Sequence, residues 1–135
     1  MNKLIAICFA IVVFCLIIGI VANAGAEEYS NTEIVDAIWV IEGGTRAQYA
    51  YGIRSVKYKD LAEARRICLR TVVNNRKRYA DYGYKQYADY LSFLASRYCP
   101  VGCGNDRGTN KFWLRNLRYQ LAKARSKCTA PKTKS

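Results

Sequence analysis

The segment Ser30-Asn31-Thr32-Glu33-Ile34-Val35-Asp36-Ala37-Ile38-Trp39-Val40-Ile41-Glu42-Gly43-Gly44 encodes one helix together with both of its ends. Ser30 and Glu33 form a capping box, in which the serine oxygen accepts the Glu33 N–H while the glutamate returns to the cap. Ile34, Ile38 and Ile41 recur at helical spacing and mark the buried stripe. Gly43-Gly44 stops the helix, because glycine enters the left-handed turn without steric penalty. Seven residues subtend about 700° on a helix, so Glu42 projects nearly as Val35 does, with Ile38 and Trp39 one turn before it. Its carboxyl therefore borders apolar surface, and it also meets the negative end of the helix dipole. Both effects favour the protonated form, the state a general acid needs. The alternative is a Glu42 that points outward at the helix end or pairs with Arg46.

Outward from this segment the same signals repeat. After an irregular or hairpin stretch through Tyr58, Asp60-x-x-Glu63 starts a second helix with Leu61, Ala64, Ile67, Cys68 and Val72 inward. A third is expected over 84–98, with Tyr87, Leu91, Leu94 and Tyr98 as one stripe. Pro100, Gly102, Gly104 and Gly108 make the following segment a loop. A fourth helix follows Asn110 as its N-cap and carries Trp113, Leu117, Leu121 and Ala124 on one side. The expectation is a mainly α, compact helical domain over 27–129. Tyr79, Tyr82, Tyr84, Tyr87 and Tyr90 crowd one stretch and read mostly as core and rim, and Arg76-Lys77-Arg78 reads as a solvated basic helix end.

The 135-residue chain has no histidine, which excludes a Ser-His or Cys-His nucleophile pair, a His-ligated zinc and a His proton shuttle. Lys3 followed by an apolar run over 4–22 and small residues at Ala22, Ala24 and Ala26 reads as an export signal over 1–26. The length of that run keeps an uncleaved membrane anchor as the alternative. Removing 1–26 leaves Cys68, Cys99, Cys103 and Cys128, an even number that in an exported chain points to two disulfides of undetermined pairing. Zinc is the weaker reading, since Cys99 and Cys103 form a C-x3-C with no second close pair; neither metal nor cofactor is expected. From Arg46 onward the chain holds 21 bases and five acids. Such a surface attracts polyanions, and export favours the anionic polymers of a cell envelope over nucleic acid. Residues 130–135 read as a disordered basic tail.

Glu42-Gly43-Gly44 continues into Tyr51-Gly52-Ile53 and Ser55. Together these resemble the lysozyme-like superfamily of peptidoglycan-cleaving enzymes, in particular small phage and prophage muramidases and lytic transglycosylases. The resemblance covers residues 34–56. It implies a lysozyme-like fold in which Glu42 is the general acid and Tyr51, Gly52, Ile53 and Ser55 contact the sugar. A second patch, Tyr98 with Pro100, then Asn105 and Asp106, looks like the loop with which several wall glycosidases line their groove. Tyr98 would offer a flat face to a pyranose ring, and Asn105 and Asp106 would hold its hydroxyls. The plainer alternative puts Tyr98 in the core and Asp106 in a turn. No Asp or Glu lies between Glu42 and Asp60, so the family's second carboxylate is missing from its usual place, with Asp106 in reserve. The expected activity is that of an exported, monomeric glycosidase or lytic transglycosylase acting on peptidoglycan strands with a single Glu. The alternative is a non-enzymatic cationic envelope-binding or antimicrobial protein.

Overall fold

A computed structural model of the protein describes residues 29–129. The export segment expected over 1–26 and the basic tail expected over 130–135 lie outside the described residues. Among the described residues there are four helices: α1 (Asn31–Ile41), α2 (Leu61–Asp81), α3 (Tyr90–Tyr98) and α4 (Trp113–Thr129). Single 3-10 turns at Gly44–Arg46, Ala50–Gly52, Gly83–Lys85 and Asn110–Phe112 punctuate the connections. No strand occurs among the described residues, so the segment after α1 is irregular and not a hairpin. The described helices are each too short or too polar to cross a membrane.

The first three helices each begin where a side chain takes over orphan N–H groups. In α1 the Glu33 N–H donates to Ser30 Oγ (3.2 Å) and the Ser30 N–H donates to Glu33 Oε2 (2.7 Å). Asp60 caps α2 through the Glu63 N–H (2.7 Å), and Glu63 reaches back to the Lys59 N–H (2.8 Å). Asp89 caps α3 through the Ser92 N–H (2.8 Å), so that helix starts at Tyr90 and not at residue 84. Tyr87 still packs against the core, but from the turn that precedes the helix. Asn110 is not an N-cap: its amide donates to the Pro100 carbonyl (2.9 Å), tying the 99–110 loop together.

The core lies where α1 packs against α4 and α2, and α3 against α2 and α4. It is built from Ile34, Val35 and Ile38, from Ala64, Cys68 and Val72, from Phe93 and Leu94, and from Leu117 and Leu121. Burying each of the larger aliphatic side chains stabilises the fold by about 1.5–3 kcal/mol. Two expected stripes end early, because Leu61 is exposed and so is Ala124. Arg76 is also no solvated residue. Its guanidinium donates to Asn31 Oδ1 (2.8 Å) and to the Tyr29 carbonyl (2.6 Å) and lies over the Tyr90 ring, joining α2 to the start of α1.

The α1 cap carries the first prediction. Ser30→Ala should lower stability by about 1 kcal/mol, read from urea unfolding at neutral pH. The Ser30 N–H, then the Ser30 hydroxyl and Arg125, hold the Glu33 carboxyl below its ordinary range. A depressed carboxylate contributes stability that is present above its unfolded value and lost as pH falls through its folded one. The stabilisation Glu33 provides over Glu33→Gln should therefore be present at pH 7 and fade in acid.

Candidate functional site

Glu42 is the residue on which α1 ends. Its N–H donates to the Ile38 carbonyl (3.0 Å), the last bond of the helix, and the next two residues turn left-handed at φ +102° and +58°. That turn folds the following segment back over the end of α1 and places Gly52 against the Glu42 side chain. A Cβ on Gly52 would lie 2.6 Å from Glu42 Oε2 and 2.8 Å from its carboxyl carbon. Only a glycine backbone approaches so closely, and at φ +69° only glycine does so without strain.

The other carboxylate oxygen is held from the far end of the chain. Trp113, the first residue of α4, donates its Nε1–H to Glu42 Oε1 (2.8 Å). A buried indole needs a partner for its one polar hydrogen, and here that partner is Glu42. The carboxyl is thus half-buried, with Oε1 fixed by Trp113 and Oε2 facing Gly52. Oε2 accepts no hydrogen bond from a described residue, and Glu42 makes no ion pair with Arg46.

Three aromatic residues brace this arrangement. Tyr51 is the one described non-glycine residue with positive φ, at +56°, a conformation that side chains disfavour and that surrounding structure must impose. Its ring lies 4.9 Å from that of Trp39, and its carbonyl accepts the Tyr98 hydroxyl. Tyr98 in turn stacks on Trp113, with centroids 5.3 Å apart and planes 22° from parallel. One tyrosine therefore contacts both walls around Glu42: the Tyr51–Gly52 turn through its hydroxyl and the indole through its ring. Tyr98→Phe should destabilise the protein by about 1–2 kcal/mol, the loss of a partly buried hydrogen bond, as read from urea unfolding.

Of the sugar-contact residues expected from sequence, Tyr51 and Gly52 lie at Glu42, and Ile53 packs half-buried beside them. Ser55 is exposed, as is Asn105 at the tip of the long loop. Tyr98 is not an open platform, because its hydroxyl points inward beside Cys68 Sγ (3.6 Å) and burial pushes its pKa far above the ordinary phenol value. Asp106 organises its own loop. Its carboxylate accepts the N–H groups of Gly102 (2.8 Å), Gly108 (2.8 Å) and Asn110 (3.2 Å), and these amides hold its pKa below the ordinary carboxylate range. It is committed as a turn residue, which removes the reserve candidate for a second carboxylate.

Among the described residues no disulfide is formed. Cys68, Cys99, Cys103 and Cys128 are all free thiols, Cys68 in the core and Cys128 on the surface of α4. Burial first, then the neighbouring acidic groups of Glu42, Cys103 and Asp106, push the Cys99 thiol up to about 11. Burial pushes the Cys68 thiol to about 11 as well, so both sulfurs stay protonated and unreactive at neutral pH.

Sequence reasoning misses Trp113 in this site and gives Tyr98 a different role there. Trp113 reads as a core position of an amphipathic helix, and Tyr98 as a sugar face. The available signal was chemical: a buried Trp or Tyr brings a polar hydrogen that must find an acceptor, and Glu42 was the acidic residue already placed against apolar surface. No family model matches the chain, and no curated protein or solved structure matches it.

Proposed function

We propose that the protein is an exported peptidoglycan-cleaving glycosidase of lytic-transglycosylase type, lysozyme-like in its site, with Glu42 as its single general acid and base. One observation carries this reading. Nearly every other described carboxylate is committed to the fold: Glu33, Asp60, Glu63 and Asp89 to helix starts, Asp36 to Arg65 and Asp106 to its loop. Asp81 is exposed at the end of α2. Glu42 alone is half-buried among aromatic rings, gripped at one oxygen by an indole, and in no ion pair with a described cation.

That geometry suits proton transfer to a glycosidic bond. Trp113 fixes Oε1, so the proton to be given sits on Oε2. From there it passes to the bridging oxygen between N-acetylmuramic acid and N-acetylglucosamine as the anomeric carbon–oxygen bond breaks. Glycosidases ordinarily use a second carboxylate to support the oxocarbenium-like transition state. With none beside Glu42, the substrate's own acetamido group supplies that support. Glu42, now ionised, then removes the proton from the muramic 6-hydroxyl as that oxygen closes on the anomeric carbon, giving a 1,6-anhydro sugar. If water takes the place of that hydroxyl, the product is a reducing end. The test is digestion of purified sacculi followed by mass spectrometry of the soluble muropeptides. Anhydro products support the transglycosylase, reducing products support a muramidase with the same acid, and no release contradicts both.

A further inference from the structure

The outer face of α4 is built unlike an ordinary solvated helix surface. Its inner face supplies Trp113, Leu117 and Leu121 to the core. Arg115, Tyr119 and Lys123 recur every four residues on the opposite side and so form one stripe. The preceding turn adds Lys111 and Phe112 at its N-terminal end. Phe112 is 39% exposed and Tyr119 61% exposed. Solubility explains the cations but not two open aromatic rings among them.

The rings and charges are also paired. The Arg115 guanidinium lies 4.8 Å and Lys111 Nζ 5.0 Å from the Phe112 centroid, and Lys123 Nζ lies 5.7 Å from that of Tyr119. On the flanks of the same helix, Arg118 and Arg125 pair with Asp89 and Glu33. No described carboxylate forms an ion pair with Lys111, Arg115 or Lys123, and α4 itself contains no acidic residue. The stripe thus combines flat apolar faces with positive charge that the fold leaves uncompensated.

We infer that this stripe is a second carbohydrate-binding surface, which holds an anionic peptidoglycan strand outside the Glu42 site. Aromatic faces take pyranose rings, and cations beside them take the carboxylates of the stem peptides and lactyl groups. Seven residues separate Phe112 from Tyr119, about 10 Å along the helix axis and close to the length of a disaccharide unit. An anionic bilayer is the poorer fit, since it requires a broad apolar face and this one alternates rings with charges.

The ligand class rests on the glycan reading of the Glu42 site, but the experiment does not require turnover. With Glu42→Gln as the parent, binding to purified sacculi is measured by co-sedimentation at rising salt, beside uncharged chitin and anionic phospholipid vesicles. Phe112→Ser with Tyr119→Ser, and separately Lys111→Gln with Arg115→Gln and Lys123→Gln, should each weaken sacculus binding by about tenfold or more. The triple substitution should also flatten the salt dependence. Tyr84→Ser, another exposed ring remote from α4, should bind as the parent does. All these positions are at the surface, and unchanged thermal unfolding confirms that the variants remain folded. The proposal is overturned if both combined variants bind sacculi within about twofold of the parent. It is equally overturned if the parent prefers vesicles, or holds chitin as tightly as sacculi. If sacculi are bound through the stripe but never cleaved by the wild-type protein, the binding surface stands and the enzymatic reading fails.

Discussion

Gly52→Ala should reduce glycan cleavage by about a hundredfold while lowering stability by only about 1–2 kcal/mol. The added methyl would sit 2.6 Å from Glu42 Oε2, so one side must move. The carboxylate is the end of a flexible side chain and yields more readily than the turn, which Tyr98 and Trp39 hold at Tyr51. Swinging it away breaks the Trp113 bond and misplaces the proton by about an ångström, a displacement sufficient for a loss of this size. Gly44→Ala separates strain from misplacement. It meets the same left-handed penalty at φ +58°, but its methyl would touch only the Trp39 ring edge, at 3.5 Å. It should lose similar stability and keep its activity. Equal activity losses in the two variants would show that Gly52 acts through folding alone.

Glu42→Gln is the complementary change. The amide oxygen still accepts the Trp113 Nε1–H and the side chain keeps its volume, so fold and stability should be nearly unchanged. What disappears is the transferable proton, and removal of a general acid reduces rate by about 10²–10⁴. The contrast between a silent effect on unfolding and a large one on turnover distinguishes a catalytic group from a structural one.

Legibility in the sequence followed the range of the interactions. The α1 capping box, the Gly43-Gly44 stop and the Asp60 cap are contacts within four residues, and all three form as expected. The third helix was misplaced because Tyr87 packs onto the same face as Leu91 and Leu94, so the apolar spacing runs unbroken through a turn. Asp89, a cap three residues before Ser92, was the local signal that the periodicity overrode. Leu61 was expected inward because helical spacing says which face a residue is on but not how far the neighbouring element reaches. The same applies to Ala124.

The site divides in the same manner. Glu42 was identifiable because helix geometry alone sets it beside apolar neighbours. Tyr51 and Gly52 were placed there by resemblance, and the close approach of Gly52 supplies a physical reason for that glycine. The Trp113 contact spans 71 residues and the Tyr98 contact with Tyr51 spans 47, and no periodicity encodes either. Asp106 shows the converse error: an Asp in a glycine-rich loop has a backbone use before it has a chemical one.

The most direct experiment incubates purified sacculi with the wild-type protein and with Glu42→Gln and analyses the soluble fraction by mass spectrometry. The wild type should release muropeptides with anhydro ends, and the variant, equally folded, should release almost none. Undiminished release by Glu42→Gln, or none by either protein, would contradict the assignment of Glu42 as the acid that cuts the strand.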